Sequence, residues 1–114
     1  MFNIQDIYAY EILDSRGNPT VCCVMQSTGG DVVQSKVPSG ASTGKFEAYE
    51  LRDLDSKRFK GKGVLKAIEN INHIIKPAVV GRQFESQNDF DEVLIKMDGT
   101  INKSKLGANA ILAV

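Results

Sequence analysis

The amino-acid sequence predicts an α+β fold, a three-stranded antiparallel β-meander followed by a helical subdomain, and three observations carry that reading. Residues up to Val37 are rich in β-formers and are interrupted by two clusters of turn residues. The connections between these runs are short, as antiparallel neighbours allow and parallel strands do not. From Val64 onward the apolar residues fall instead at three- and four-residue spacings.

Along the chain, Ile4, Ile7, Ala9 and Leu13 alternate irregularly with Tyr8, Tyr10 and Ile12 between Asn3 and Asp14. This reads as a strand with apolar groups on both faces, covered on both sides for part of its length. Ser15-Arg16-Gly17-Asn18-Pro19 is turn chemistry, and it leads to a second strand from Thr20 to Ser27. Thr28-Gly29-Gly30-Asp31 predicts a tight hairpin into a third strand with Val32, Val33 and Val37. So small a ribbon needs a layer packed on one face. Val64, Leu65, Ile68, Ile71, Ile74 and Ile75 predict an amphipathic helix that Pro77 ends. Ser86 with Asp89 marks a second helix, on which Phe90, Val93, Leu94 and Met97 share a face and which Asp98-Gly99 stops. After a polar connection from Asn102 to Leu106, Ala108, Ala110, Ile111, Leu112, Ala113 and Val114 begin a small-residue helix suited to close packing. Nothing terminates that helix, so the expectation is a single domain, residues 1–114, cut within its last helix.

Acidic and basic residues balance at 14 each, so no net field draws nucleic acid or an anionic membrane to this chain. The apolar runs are short, and the start Met-Phe-Asn-Ile-Gln-Asp lacks a charged segment leading into an apolar core, so neither membrane insertion nor a signal peptide is expected. Cys22 and Cys23 are neighbours in a strand, which sends their side chains to opposite faces and disfavours a mutual disulfide. They read as reduced structural thiols.

One stretch departs from ordinary folded sequence: Val37-Pro38-Ser39-Gly40-Ala41-Ser42-Thr43-Gly44-Lys45. Glycines let the backbone approach a ligand, and the Ser and Thr oxygens suit a hard cation or a phosphate. A phosphate loop of the form G-x-x-x-x-G-K-[ST] fails at both ends, because Ser39 stands where its first glycine belongs and Phe46 where its hydroxyl belongs. An ordinary surface connection has the same composition, and the residues of the loop alone leave that reading open.

Other motifs flank this loop in a definite order. Asp14-Ser15-Arg16-Gly17-Asn18-Pro19-Thr20-Val21 precedes it, Glu47-Ala48-Tyr49-Glu50-Leu51-Arg52-Asp53 and Gly61-Lys62-Gly63-Val64 follow, and Met97-Asp98-Gly99-Thr100 leads into Asn102-Lys103-Ser104-Lys105-Leu106-Gly107-Ala108-Asn109-Ala110-Ile111-Leu112. In order and spacing the chain, from about Ile4 to its last residue, resembles the amino-terminal domain of the enolases. The resemblance implies a capping domain whose carboxy-terminal catalytic barrel is absent from this chain. It implies a Mg²⁺-dependent lyase of glycolysis that dehydrates 2-phospho-D-glycerate to phosphoenolpyruvate, and runs in reverse in gluconeogenesis. By the same resemblance the catalytic acid, base and metal carboxylates lie in the barrel, and none is in this chain. Ser39, Gly40, Ala41, Ser42 and Thr43 match the loop that closes over substrate, with Ser42 the residue that ligates the second Mg²⁺. The resemblance further implies a homodimer or higher assembly in the cytoplasm, with cell-surface and secreted forms in the family. Where the family pattern has a glutamate after Asn-Pro-Thr-Val, associated with a salt bridge across the dimer interface, this chain has Cys22. A non-catalytic surface module that binds other proteins is the alternative reading, and Mg²⁺-dependent turnover separates the two.

The remaining polar residues read as structural. Glu47, Glu50, Asp53 and Asp55 are followed directly by Lys57, Arg58, Lys60 and Lys62, the mixed charge of a solvated surface rather than a metal cluster. His73, the only histidine, stands in the isoleucine-rich helix without a catalytic partner in view. Arg16 suits either a carboxylate ligand or its own turn, and it stays outside the catalytic set.

Overall fold

A computed structural model describes residues 1–38 and 48–114. Strands β1 (Phe2–Leu13), β2 (Pro19–Ser27) and β3 (Val32–Lys36) form the antiparallel meander, with β2 in the middle of the three. Asp14 makes the first turn. Its carboxylate accepts from the backbone N–H groups of Asn18 (3.0 Å) and Arg16 (2.9 Å), and these bonds hold its pKa below the ordinary carboxylate value. Pro19 is tolerated because it is the first residue of its strand.

The sheet has a fourth strand that the sequence does not announce. β4 (Gln83–Phe84) pairs antiparallel with Phe2 and Asn3, giving the order β3-β2-β1-β4. Two residues are too few to carry a period. Beyond them the edge of β1 is covered by a side chain: Asn72 accepts from the Ala9 N–H (2.9 Å) and donates to the Ala9 carbonyl (3.1 Å), which replaces a strand partner.

The expectation that β1 is covered on both faces does not hold. Its register shifts between Ile4 and Asp6, a bulge that brings even-numbered Ile4 and odd-numbered Ile7 and Ala9 to the same core face. Tyr8 and Tyr10 stand stacked on the other face, ring centroids 6.3 Å apart, and stay substantially exposed. The irregular alternation in the sequence was a bulge, not a second covered face.

The layer on the core face is one rod of three helical segments: α1 (Leu65–Glu69), a π-helical stretch Asn70–Ile75, and α2 (Lys76–Val79). Ala67, Ile68, Ile71, Ile75 and Val79 face Ile4, Ile7, Ala9, Val21 and Cys23 in one buried cluster. Each fully buried isoleucine there contributes roughly 1.5–3 kcal/mol. Pro77 does not end the rod, as the spacing predicted. It occupies the first turn of α2, just after the π-helical stretch, where its missing N–H leaves no intrahelical bond wanting, and the rod ends at Val80 in extended conformation. Helix α3 (Gln87–Asp98) begins as its sequence predicts, with the Ser86 hydroxyl accepting from the Asp89 N–H (3.2 Å), and ends at left-handed Gly99. Phe90 packs with Phe2 and Phe84, tying α3 to the β1–β4 edge. Helix α4 (Ala108–Ala113) closes the layer against β2, with Ala110 and Ala113 buried.

Asp98 organises the connection between α3 and α4. Its buried carboxylate accepts from the Thr100 N–H and hydroxyl and from the Leu106 N–H (2.7 Å). Burial alone would raise its pKa, yet these bonds win and the group stays below the ordinary value.

Candidate functional site

Ser39, Gly40, Ala41, Ser42 and Thr43 lie outside the described residues, as does Glu47. What the structure defines is how the chain enters and leaves that segment.

On the upstream side Val37 is buried, its N–H donates to the Val21 carbonyl (3.0 Å), and its carbonyl accepts from the Thr20 hydroxyl (2.6 Å). Pro38 follows, which restricts Val37 to extended conformations. On the downstream side residues 49–51 run beside the entry to α4. The Tyr49 N–H donates to the Asn102 carbonyl (2.6 Å), and the Tyr49 carbonyl accepts from the Ala108 N–H (2.7 Å). Asn109, itself buried, accepts from the Leu51 N–H (3.1 Å) and donates to the Leu51 carbonyl (3.0 Å). The approach is so close that a Cβ on Gly107 would stand 2.6 Å from both the Leu51 Cβ and the Asn109 Oδ1, and Gly107 also holds φ +96°. No other residue fits there.

Arg52 continues the anchoring. Its guanidinium donates to the carbonyls of Pro19 (2.5 Å) and Lys62 (2.8 Å) and pairs with Glu50 (2.6 Å). Asp53 accepts from the N–H groups of Leu65 (2.9 Å) and Lys66 (2.8 Å), supplying from a distant loop the cap that α1 lacks locally. Glu11 accepts from the Val64 N–H (3.0 Å) and pairs with Arg58 (2.6 Å). That bond to Glu11 is the main reason the Arg58 guanidinium is held above its ordinary pKa.

The described part of the acidic run is more than the solvated surface the sequence predicts, since its carboxylates make specific contacts. Glu50 meets Arg52, Asp53 caps a helix, and Asp55 accepts from the Lys57 N–H. Among the described residues no group of three His, Cys, Asp or Glu side chains is arranged to hold a metal ion. His73 is an exposed residue of the π-helical stretch. Arg16 lies 3.7 Å from Asp14 at its own turn. Cys22 and Cys23 are free and buried on opposite faces. Cys23 sits in the core, where burial first and the neighbouring Cys22 second push its thiol up to about 11. Cys22 lies under Gln34, whose amide donates to both its sulfur (3.2 Å) and the Tyr10 hydroxyl (2.9 Å).

Sequence reasoning named the loop and missed its anchors, Thr20, Arg52 and Asn109. One signal was available for Asn109, a lone amide on an otherwise apolar small-residue helix. Arg52 was hidden in a run of mixed charge, and Thr20 passed as an ordinary strand residue.

The described residues thus form a two-layer α+β domain in which Val37, Tyr49 and Leu51, on either side of residues 39–47, are each held by hydrogen bonds. Comparison with known proteins gives the family. Residues 4–114 match the model described as "Enolase, N-terminal domain", and the chain belongs to that family. It is 61% identical to "Enolase 1" of Entamoeba histolytica over 110 residues, 96% of this chain, and 58% identical to "Enolase" of Malacoplasma penetrans over 113 residues, 99% of this chain. In both cases it spans 25% of the relative's length.

Proposed function

We propose that this chain is the amino-terminal capping domain of a longer enolase, a lyase that dehydrates 2-phospho-D-glycerate to phosphoenolpyruvate with Mg²⁺. The observation that carries the reading is identity near 60% to two proteins named enolase across almost the whole chain. The groups that move protons and hold the principal metal lie in the part of the relatives that this chain does not span. The share of this chain is the loop of Ser39, Gly40, Ala41, Ser42 and Thr43, with Ser42 as a ligand of Mg²⁺.

The donor chemistry fits that limited share. Mg²⁺ takes hard oxygen ligands in an octahedron and commonly keeps waters or substrate oxygens among them, and Ser42 offers a hydroxyl and a carbonyl. The described residues add no carboxylate set of their own, consistent with one residue joining a site built elsewhere. When bound, the metal supplies positive charge where the substrate becomes more anionic. The role of the loop is to bring Ser42 to that charge and to exclude water once substrate is in place.

The longer protein is assigned to a homodimer or higher assembly in the cytoplasm, with cell-surface or secreted forms. Cys22, which stands where the family pattern has a glutamate, is buried under Gln34 and supplies no carboxylate for the salt bridge across that interface. The test is phosphoenolpyruvate formation from 2-phosphoglycerate by the longer protein across a Mg²⁺ titration. Turnover abolished by chelator supports the reading, and Ser42→Ala then lowers turnover and weakens the second metal more than the first. A folded, metal-loaded protein without turnover moves the assignment to a non-catalytic interaction module.

A further inference from the structure

We infer that Thr20 and Arg52 are positioning residues, tying Val37 and Arg52, which flank residues 39–47 in the sequence, to adjacent residues of β2. As an account of turnover this rests on the enolase reading above.

The argument begins with an oddity of burial. Thr20 is 4% exposed, one of few polar side chains buried so completely, in a strand position where valine would pack as well. Its hydroxyl is spent on the Val37 carbonyl at 2.6 Å, across a sequence separation of 17. That bond fixes the last residue before Pro38. The next residue of β2 toward its start, Pro19, gives its carbonyl to Arg52 at 2.5 Å, across a separation of 33. The two contacts thus meet on adjacent residues, one from each end of the segment. β2 is a firm base at that point, because Thr20 and Pro19 pair with Ile12 and Leu13 of β1. The Arg52 fork is fixed in turn by the Lys62 carbonyl and Glu50, so its reach to Pro19 is set by three acceptors at once.

Asn109 holds the downstream segment by a separate route, to Leu51 and not to β2. Thr20 and Arg52 bring the two sides together on adjacent residues of β2. A ligand group displaced by even about 1 Å loses much of its effect in catalysis.

The test uses Thr20→Val, which keeps shape and β-branching while removing the donor, and Thr20→Ser, which keeps the donor. Arg52→Gln tests the other end. In the longer protein, Thr20→Val and Arg52→Gln are expected to lower kcat and to raise the Mg²⁺ concentration for half-maximal turnover at least about threefold, the scale of one lost hydrogen bond. Thr20→Ser is expected to restore both. A merely structural role reduces the folded fraction and leaves the Mg²⁺ midpoint of the remaining enzyme unchanged, and that result overturns the inference. So does equal impairment by Thr20→Val and Thr20→Ser.

If the unsubstituted protein shows no turnover, the enolase reading fails and the brace is judged by tryptic cleavage after Lys45, the one Lys or Arg between residues 39 and 47. Faster cleavage there in Thr20→Val and Arg52→Gln, with Thr20→Ser unchanged, supports the brace without any activity. Equal rates in all four proteins reject it.

Discussion

Two regions are held in place by different physics. Residues 64–79 lie on the sheet as a rod whose isoleucines interlock with Ile4, Ile7 and Val21, a contact of area and shape. Residues 48–63 contain only a short 3₁₀ turn, Phe59–Gly61, and are held by single polar side chains: Arg52 on Pro19, Asp53 on the start of α1, Asn109 on Leu51, Arg58 on Glu11. The rod spreads its stabilisation over many small contacts. In the stitched region each bond has one donor and one acceptor, and removal of either leaves a partner unsatisfied. Apolar packing tolerates exchange of like for like, whereas stitching fixes position. That suits the region leading out of a functional loop.

The largest expected effect breaks the rod. Ile71 is fully buried at its centre, so Ile71→Ala should cost about 3 kcal/mol, a lost transfer energy plus a cavity. Ile71→Leu should cost less than about 1.5 kcal/mol. Urea unfolding of both variants checks this. Near-equal losses would mean that the rod is held by something other than apolar area.

The stitched region predicts no such tolerance. Asn109→Ala leaves the Leu51 N–H and carbonyl unpaired, at a cost of about 2 kcal/mol, and the similarly sized Asn109→Leu should be no better. Hydrogen exchange should localise the damage to Leu51 and its neighbours while Ile71 stays protected. A loss spread evenly over both regions would erase the distinction between them.

A pH experiment separates the core from the stitching without a large structural change. The Cys23 thiol is pushed up to about 11 from its ordinary 9.0, chiefly by burial. A folded-state pKa raised above the unfolded one gives stability that is fully present below pH 9 and is lost as pH rises through 11. The loss should approach about 2 kcal/mol, and Cys23→Val should shrink it. An unchanged alkaline limb in that variant would assign the loss to other groups.

These differences also explain what the sequence made legible. The rod was readable because Ile68, Ile71 and Ile75 repeat at helical spacing, and α3 because Ser86, Asp89 and Gly99 are local signals of its ends. The bulge in β1 was misread because a shift of parity looks the same as a second apolar face until Tyr8 and Tyr10 are placed. β4 was too short to show. At the candidate site, the loop from Ser39 to Thr43 was named through its flanking motifs. Its anchors were not, since the Asn109–Leu51 contact spans 58 positions and the Thr20–Val37 contact depends on strand register. Nothing local in a threonine or an asparagine says which distant carbonyl it will meet.

The smallest expected effect sharpens the comparison most. Glu11 belongs to β1 but serves the stitched region, since it pairs with Arg58 and also accepts from the Val64 N–H where the rod begins. Glu11→Gln keeps an acceptor for Val64 and removes both the charge and the oxygen that accepts from Arg58. Arg58 is about a third exposed, so solvent screens the pair and the loss should be no more than about 1 kcal/mol. Screening supplies the decisive control: at about 1 M salt the Debye length falls to about 3 Å, and the gap between Glu11→Gln and the unsubstituted chain should narrow. The Ile71→Ala gap should not, because it contains no charge. If the Glu11→Gln deficit persists undiminished in salt, the contact acts through hydrogen-bond geometry alone, and the stitched region is then as indifferent to ionic strength as the rod.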